Sequence, residues 1–288
     1  MNDITTRQNN PNLIELLKAQ RTAYSQCKTF QLFDVVSIII AVIFPVLTLV
    51  CPAYQNMINA FGVLWTISYL LTEIYRKIKT TQGALIQEQF DTELYNLNWN
   101  EILCKDKVNT DTIQELAAKY SKNDLTNWYS INIKNTHPKE IAVILCQRIN
   151  FSWEITQRRK FVVFLSIIAA MYYLIYIVIG LKNNIGFYDL LVMLSPSISF
   201  LIYSVLNILS LKSHIKSKNE TLKFIDKELD NYKVNRILPI SEKLRQIQDI
   251  IFTERTVPEK VPDWFYKINK SKNENFIDNL INRIQLNL

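Results

Sequence analysis

Glycine and proline are scarce in this chain, at 4 and 8 of 288 residues. So few turn-formers exclude collagen-like sequence, low-complexity disorder and the glycine-punctuated strands of a β-barrel. Histidine is scarcer still, with only His137 and His214, and the four cysteines (Cys27, Cys51, Cys104, Cys146) stand far apart. Zinc sites draw on closely spaced Cys or His pairs, so neither a metal centre nor a disulfide framework is expected. Both histidines read as surface residues near span or helix ends. The chain also lacks a P-loop, a Gly-x-Gly-x-x-Gly turn, a serine elbow and a His-Glu-x-x-His pair, which leaves catalysis the least supported class, with no catalytic residue and no cofactor expected. Glu88, Asp91 and Glu93 form the nearest thing to an acidic cluster. Without a partner base or metal they read as a solvated helix face near Arg and Lys residues.

Charge is missing from three long stretches: Val35 to Thr72, Phe161 to Leu181 and Leu190 to Leu211 together hold 81 residues without one Asp, Glu, Lys or Arg. In a chain that is 20% charged, such clearing marks bilayer segments, because about 20 apolar residues in a helix cross a hydrocarbon core of about 30 Å. The first stretch is too long for one crossing, since as a single helix it would reach about 57 Å. It must reverse at Cys51 to Asn56, where proline and polar amides interrupt the apolar texture. Spans are expected at about Phe33 to Val50, Met57 to Ile74, Phe161 to Leu181 and Phe187 to Leu211, the last two separated by a polar turn at Lys182 to Gly186. The second is the weakest of these, being short and carrying Asn59. The fold class is therefore all-α: a polytopic membrane protein with four transmembrane helices in two hairpins and a helical cytoplasmic region.

Lys and Arg near span ends tend to stay in the cytoplasm. Residues 1–32 hold four of these, 75–160 thirteen and 212–288 fifteen, whereas the hairpin tips share only Lys182. The expected organisation is a cytoplasmic N-terminal helix (1–32), hairpin 1 (33–74), a cytoplasmic helical segment (75–160), hairpin 2 (161–211) and a cytoplasmic C-terminal segment (212–288). More than thirty mostly polar residues precede the first apolar run, so the first span is expected as an uncleaved anchor. The location implied is a membrane crossed several times, with both termini in the cytoplasm.

Outside the bilayer the pattern is helical. Asn10-Pro11 opens a helix with Leu13, Leu16, Leu17, Gln20 and Tyr24 on one face, and Thr112 to Glu115 has the form of a capping box. Pro138 opens a run that nothing breaks before Leu181, a single rod of about 66 Å. Leu222, Ile225 and Leu229 continue a helix beyond the last span, and Pro239 starts another with Leu244, Ile247 and Ile251. Two short strings recur in order: Ala19-Gln20-Arg21 with Cys146-Gln147-Arg148, and Phe90-Asp91 with Ile225-Asp226. They raise an internal duplication of helix, hairpin and helix, with chance similarity of helical strings as the alternative.

In the fourth span Ser195, Ser199, Tyr203, Asn207 and Ser210 fall on one helical face. Such a polar stripe avoids lipid, and either packs against a neighbouring helix or lines a water-filled path. Four helices enclose no wide conduit, so a pore requires several copies and a homo-oligomer. Gln157 to Lys160 and Arg76-Lys77 stand at headgroup level and read as anchors to anionic lipid. An anionic-ligand pocket would need guanidiniums beside stacking surfaces; the candidates are Arg148 with Trp153, and Arg245 and Arg255 near Trp264. The net charge of +7 is accounted for by orientation and lipid, so no DNA partner is expected.

Several longer strings carry a family resemblance: Ile86-Gln87-Glu88-Gln89-Phe90-Asp91-Thr92, Asn98-Trp99-Asn100, Asn127-Trp128-Tyr129, Cys146 to Trp153, Ile247 to Phe252 and Val261 to Tyr266, with Arg7-Gln8-Asn9 and Ala19-Gln20-Arg21 upstream. Across about residues 4–275 the chain resembles the SMODS-associated four-transmembrane effectors, bacterial proteins to which pore formation is ascribed. The resemblance implies an anti-phage effector of the bacterial inner membrane, multi-pass with both termini cytoplasmic, triggered by a cyclic oligonucleotide and compromising that membrane in abortive infection. The alternative is a non-conducting membrane scaffold that recruits a partner through the segment around Trp264.

Overall fold

Helix is the only regular structure among the described residues. The computed structural model describes residues 2–28, 36, 39–40, 43, 47, 51–121, 124–129, 132–182, 184–194, 198–257, 261–262, 265, 268, 279–286 and 288. The elements run α1 (Ile4–Arg7), α2 (Pro11–Lys28), a 3-10 turn (Pro52–Tyr54), α3 (Gln55–Tyr95), α4 (Glu101–Cys104), α5 (Thr110–Ala118), α6 (Lys139–Lys182), α7 (Phe187–Leu194), α8 (Ile198–Asn235) and α9 (Ser241–Arg255). Residues 279–286 are helical as well.

The local reasons are legible. Proline at the first position of α2 lacks an N–H that a helix start would leave unpaired in any case. The start of α5 differs from the capping box expected at Thr112: Asn109 is the cap, its side chain accepting from the Thr112 backbone N–H at 2.9 Å. Asparagine three residues upstream takes the role because its short amide reaches that N–H while its own backbone stays extended. Helix α3 ends where Asn96 turns left-handed at φ 55°, which lets the Leu97 N–H close back on the Thr92 carbonyl at 3.0 Å. Helix α6 runs for 44 residues, from directly after Pro138 through the second uncharged stretch.

The chain divides into two compact units. The first comprises Met1–Cys27, Lys77–Gln157 and His214–Leu288. Its core draws Leu17 and Ala19 from α2, Ile86, Phe90 and Leu94 from α3, Ile141, Ile144 and Leu145 from α6, Ile225 from α8, and Ile247 and Ile251 from α9. Each large apolar side chain sealed there contributes about 1.5–3 kcal/mol. Helix α2 lies against α3 because residue 83 is glycine, where a Cβ would come 3.0 Å from Tyr24 Cε1. Ile281, in the helical stretch 279–286, is buried in the same core.

The second unit comprises Lys28–Arg76 and Arg158–Ser213, and its polarity is inverted. Leu64, Ile67 and Leu71 of α3, Val163, Ile167, Met171, Leu174 and Ile175 of α6, and Val205, Leu206 and Leu209 of α8 are exposed, while Ser204 and Asn207 of α8 are buried. Among the described residues α6 is the one helix long and apolar enough to cross a bilayer, and only 11% of its most apolar stretch is buried. The core helix of a water-soluble protein would be mostly buried there, whereas a lipid-facing helix leaves its apolar side chains outward. Most of the expected first span, about Phe33 to Val50, lies outside the described residues. The expected second span is part of α3, which continues to Tyr95.

Candidate functional site

The first unit buries charge at its centre. Glu88 and Asp91, one turn apart on α3, are both 0% exposed. This corrects the expectation of a solvated acidic face; of that trio only Glu93 is exposed. The carboxylates fall in register with Ala84 and Tyr95, on the stripe that α3 turns inward. Burial of two acids requires partners, and α9 provides them from positions 245, 248 and 255, which share one helical face.

All four carboxylate oxygens accept hydrogen bonds. Arg245 Nη2 donates to Glu88 Oε1 at 2.5 Å, and Gln248 Nε2 donates both to Glu88 Oε2 at 2.8 Å and to Asp91 Oδ2 at 3.0 Å. Arg255 Nη1 reaches Asp91 Oδ2 at 2.5 Å, and the Tyr129 hydroxyl donates to Asp91 Oδ1 at 2.7 Å. Helix α6 closes the network. Gln147 Nε2 donates to Gln248 Oε1 at 3.2 Å, while Asn150 accepts from Arg255 Nη2 at 3.2 Å and donates to the Tyr129 hydroxyl at 3.2 Å. Arg245 is fixed further by Asp249 at 3.1 Å and by the Asn98 carbonyl at 3.0 Å.

Burial outweighs the pull of Arg245 and lifts the Glu88 carboxyl from 4.5 to about 7, with the Asp91 charge adding to the rise. Burial also pushes the Cys104 thiol up to about 12, helped by the Glu88 charge, so it stays protonated. Desolvation works against the Arg255 charge, yet Asp91 more than restores it.

A second polar cluster joins α6, α8 and α9. Lys218 of α8, only 2% exposed, bonds Glu154 of α6 and lies 3.6 Å from Glu254 of α9, with its ammonium 5.8 Å from the centre of the Phe151 ring. One turn earlier on α8, His214 meets Glu254 at 3.0 Å. His214 is thus half-buried within a helix and hydrogen-bonded to Glu254, where a surface residue is expected; His137 is half-buried too.

Of the expected ligand residues, Arg245 and Arg255 do converge, but on carboxylates of their own chain. Arg148 pairs with Asp226 at 2.8 Å and with Ser152 at 3.3 Å, beside a cavity of about 290 Å³ lined also by Asp230 and Lys233. Trp264 lies outside the described residues, as does the side chain of Trp153. Of the expected stripe, Asn207 is buried and Ser210 half-buried within the second unit; Ser195 and the side chains of Ser199 and Tyr203 lie outside the described residues. Sequence reasoning missed Glu88, Asp91, Gln248, Tyr129 and Lys218. The available signal was the i, i+3 spacing of Glu88 and Asp91 inside the Ala84, Phe90 and Leu94 turn pattern.

The profile of the SMODS-associating 4TM effector domain matches residues 2–284. The chain belongs to that family. The SMODS-associating 4TM effector domain therefore accounts for both units together, and membership makes the chain a membrane protein of the anti-phage effector class. A Bacillus cereus (strain VD146) protein described as a probable CBASS effector molecule is 27% identical to it over 283 residues, covering 93% of each chain. No solved structure matches.

Proposed function

We propose that this protein is a cyclic-oligonucleotide-triggered CBASS effector that, on activation, assembles through its apolar unit and breaches the bacterial inner membrane. The observation that carries the reading is the inverted polarity of the second unit: Val205, Leu206 and Leu209 face outward while Ser204 and Asn207 are enclosed. Lipid rewards that arrangement and water penalises it. The charge-free stretches support four spans, and the distribution of Lys and Arg supports a cytoplasmic place for both termini. The helical first unit then sits inside the cell, where a nucleotide made during infection reaches it. A ligand drives the change only by binding the active arrangement more tightly than the resting one. In oligomers, the polar stripe from Ser195 to Ser210 either holds the helices together or lines the breach.

The test is leakage of a small dye from liposomes carrying the full-length protein, on addition of a panel of cyclic di- and trinucleotides. At least one member of the panel is expected to release dye. Ser199→Leu with Asn207→Leu is expected to abolish the release while helical content stays the same. Unchanged release from that variant removes the stripe from the mechanism. Tight liposomes with every nucleotide, combined with capture of a second protein by the segment around Trp264, would replace the pore by the scaffold reading.

A further inference from the structure

Helix α9 makes an unusual set of contacts for a 15-residue element near the end of the chain. Its polar bonds reach each of the three long helices α3, α6 and α8. Arg245, Gln248 and Arg255 hold the α3 carboxylates, Gln248 accepts from Gln147 and Arg255 donates to Asn150 on α6, and Lys243 meets Glu228 of α8 at 2.7 Å. Each of those three helices continues into the apolar unit. A helix serving only as core filling would present an apolar stripe. Here Leu244, Ile247, Ile251 and Phe252 share the buried surface of α9 with Gln248 and Glu254, and with two arginines bonded to fully buried acids.

Apolar surfaces tolerate sliding, but a buried polar network is costly in any half-bonded condition. Two conditions are therefore favoured: α9 fully seated, or α9 released with its arginines and the α3 carboxylates in water. We propose that α9 is a removable clasp, which holds α3, α6 and α8 in the resting arrangement while seated and is unseated on activation. The proposal rests on the effector reading for what activation achieves. The clasp is held by exchangeable charges, so a phosphate-bearing ligand competes with Glu88 and Asp91 for Arg245 and Arg255 using the same chemistry.

The experiment uses full-length protein in dye-loaded liposomes without nucleotide. Asp91→Asn deprives Arg255 of its buried counter-charge and is expected to raise leakage about tenfold over the unaltered protein. Gln248→Leu, which removes the amide shared by both acids, is expected to do the same and serves if Asp91→Asn fails to fold. Asn100 and Asp249 are bonded at 3.1 Å, so Asn100→Cys with Asp249→Cys, in a chain whose four native cysteines are replaced by alanine, lets a reducible thiol cross-linker pin α9 in place. Pinning is expected to return the leaking variants to the resting rate, and reduction to restore the leak.

Folded variants that stay tight, or a leak that persists through the cross-link, would overturn the clasp. Nucleotide-triggered leakage of the unaltered protein beside tight variants would do so while leaving the effector reading standing. Variants that leak under cross-link control, although no nucleotide opens the unaltered protein, would uphold the clasp and remove the nucleotide from the effector reading.

Discussion

Replacing Asp91 by alanine is expected to lower the unfolding free energy of the helical unit by about 3–5 kcal/mol. The size follows from what the substitution leaves behind. Arg255 keeps its guanidinium at a site 7% exposed, but loses its counter-charge and retains only the Asn150 amide oxygen among the bonds described here. The Tyr129 hydroxyl loses its acceptor, and one of the two Gln248 amide protons is stranded. Unpaired buried groups carry the full cost of lost hydration, whereas the bonded pair returned only a modest net gain. It follows that Asp91→Leu with Arg255→Met should recover most of the loss, because neither charge is then buried. Urea titration in detergent micelles, followed by the fluorescence of Trp99 and Trp128, measures both values. A loss below about 1 kcal/mol for Asp91→Ala would mean that water enters the site and the network is not dry.

The same residues show how far the sequence reaches. Charge-free stretches, the prolines at 11 and 138 and the spacing of Leu222, Ile225 and Leu229 speak through neighbours within a few residues. Helix α6 and the onset of α2 were accordingly legible. The polar centre was not, because its bonds join residues far apart in the chain: 157 positions separate Arg245 from Glu88. The spacing of Glu88 and Asp91 within the inward stripe of α3 signals their burial, but no local pattern names the arginine on a distant helix that either one meets.

The short repeated strings show the same limit. Arg148 and Asp226, one from each string of the second half, do meet at 2.8 Å. Their counterparts in the first half take other partners: Arg21 lies 4.7 Å over the Trp128 ring, and Asp91 is held by Arg255. Burial is shared at Gln20 and Gln147 and at Phe90 and Ile225, while the partners of the charged positions differ.

A falling stability between mildly acidic and neutral pH is the second large effect, and its sign is opposite to that of an ordinary ion-paired carboxylate. Burial holds the Glu88 carboxyl near 7, against 4.5 when the chain is unfolded. Over that window the folded protein keeps a proton that the unfolded chain has released, so raising the pH favours unfolding. Across the full window the loss from this one group is about 3 kcal/mol, and it is complete once the pH exceeds the folded value. Arg245 does not lose its place when Glu88 is neutral, because Asp249 and the Asn98 carbonyl still accept from it. Glutamine at position 88 cannot ionise. Glu88→Gln is therefore expected to remove this descending limb between about pH 4.5 and 7, whatever constant offset its amide introduces beside Gln248. Urea titrations of both proteins at half-unit steps from pH 4.5 to 8 give the difference directly, since all other titrating groups are common to them. Parallel curves would show that Glu88 ionises at an ordinary pH, and that its place at the centre of the network is wet.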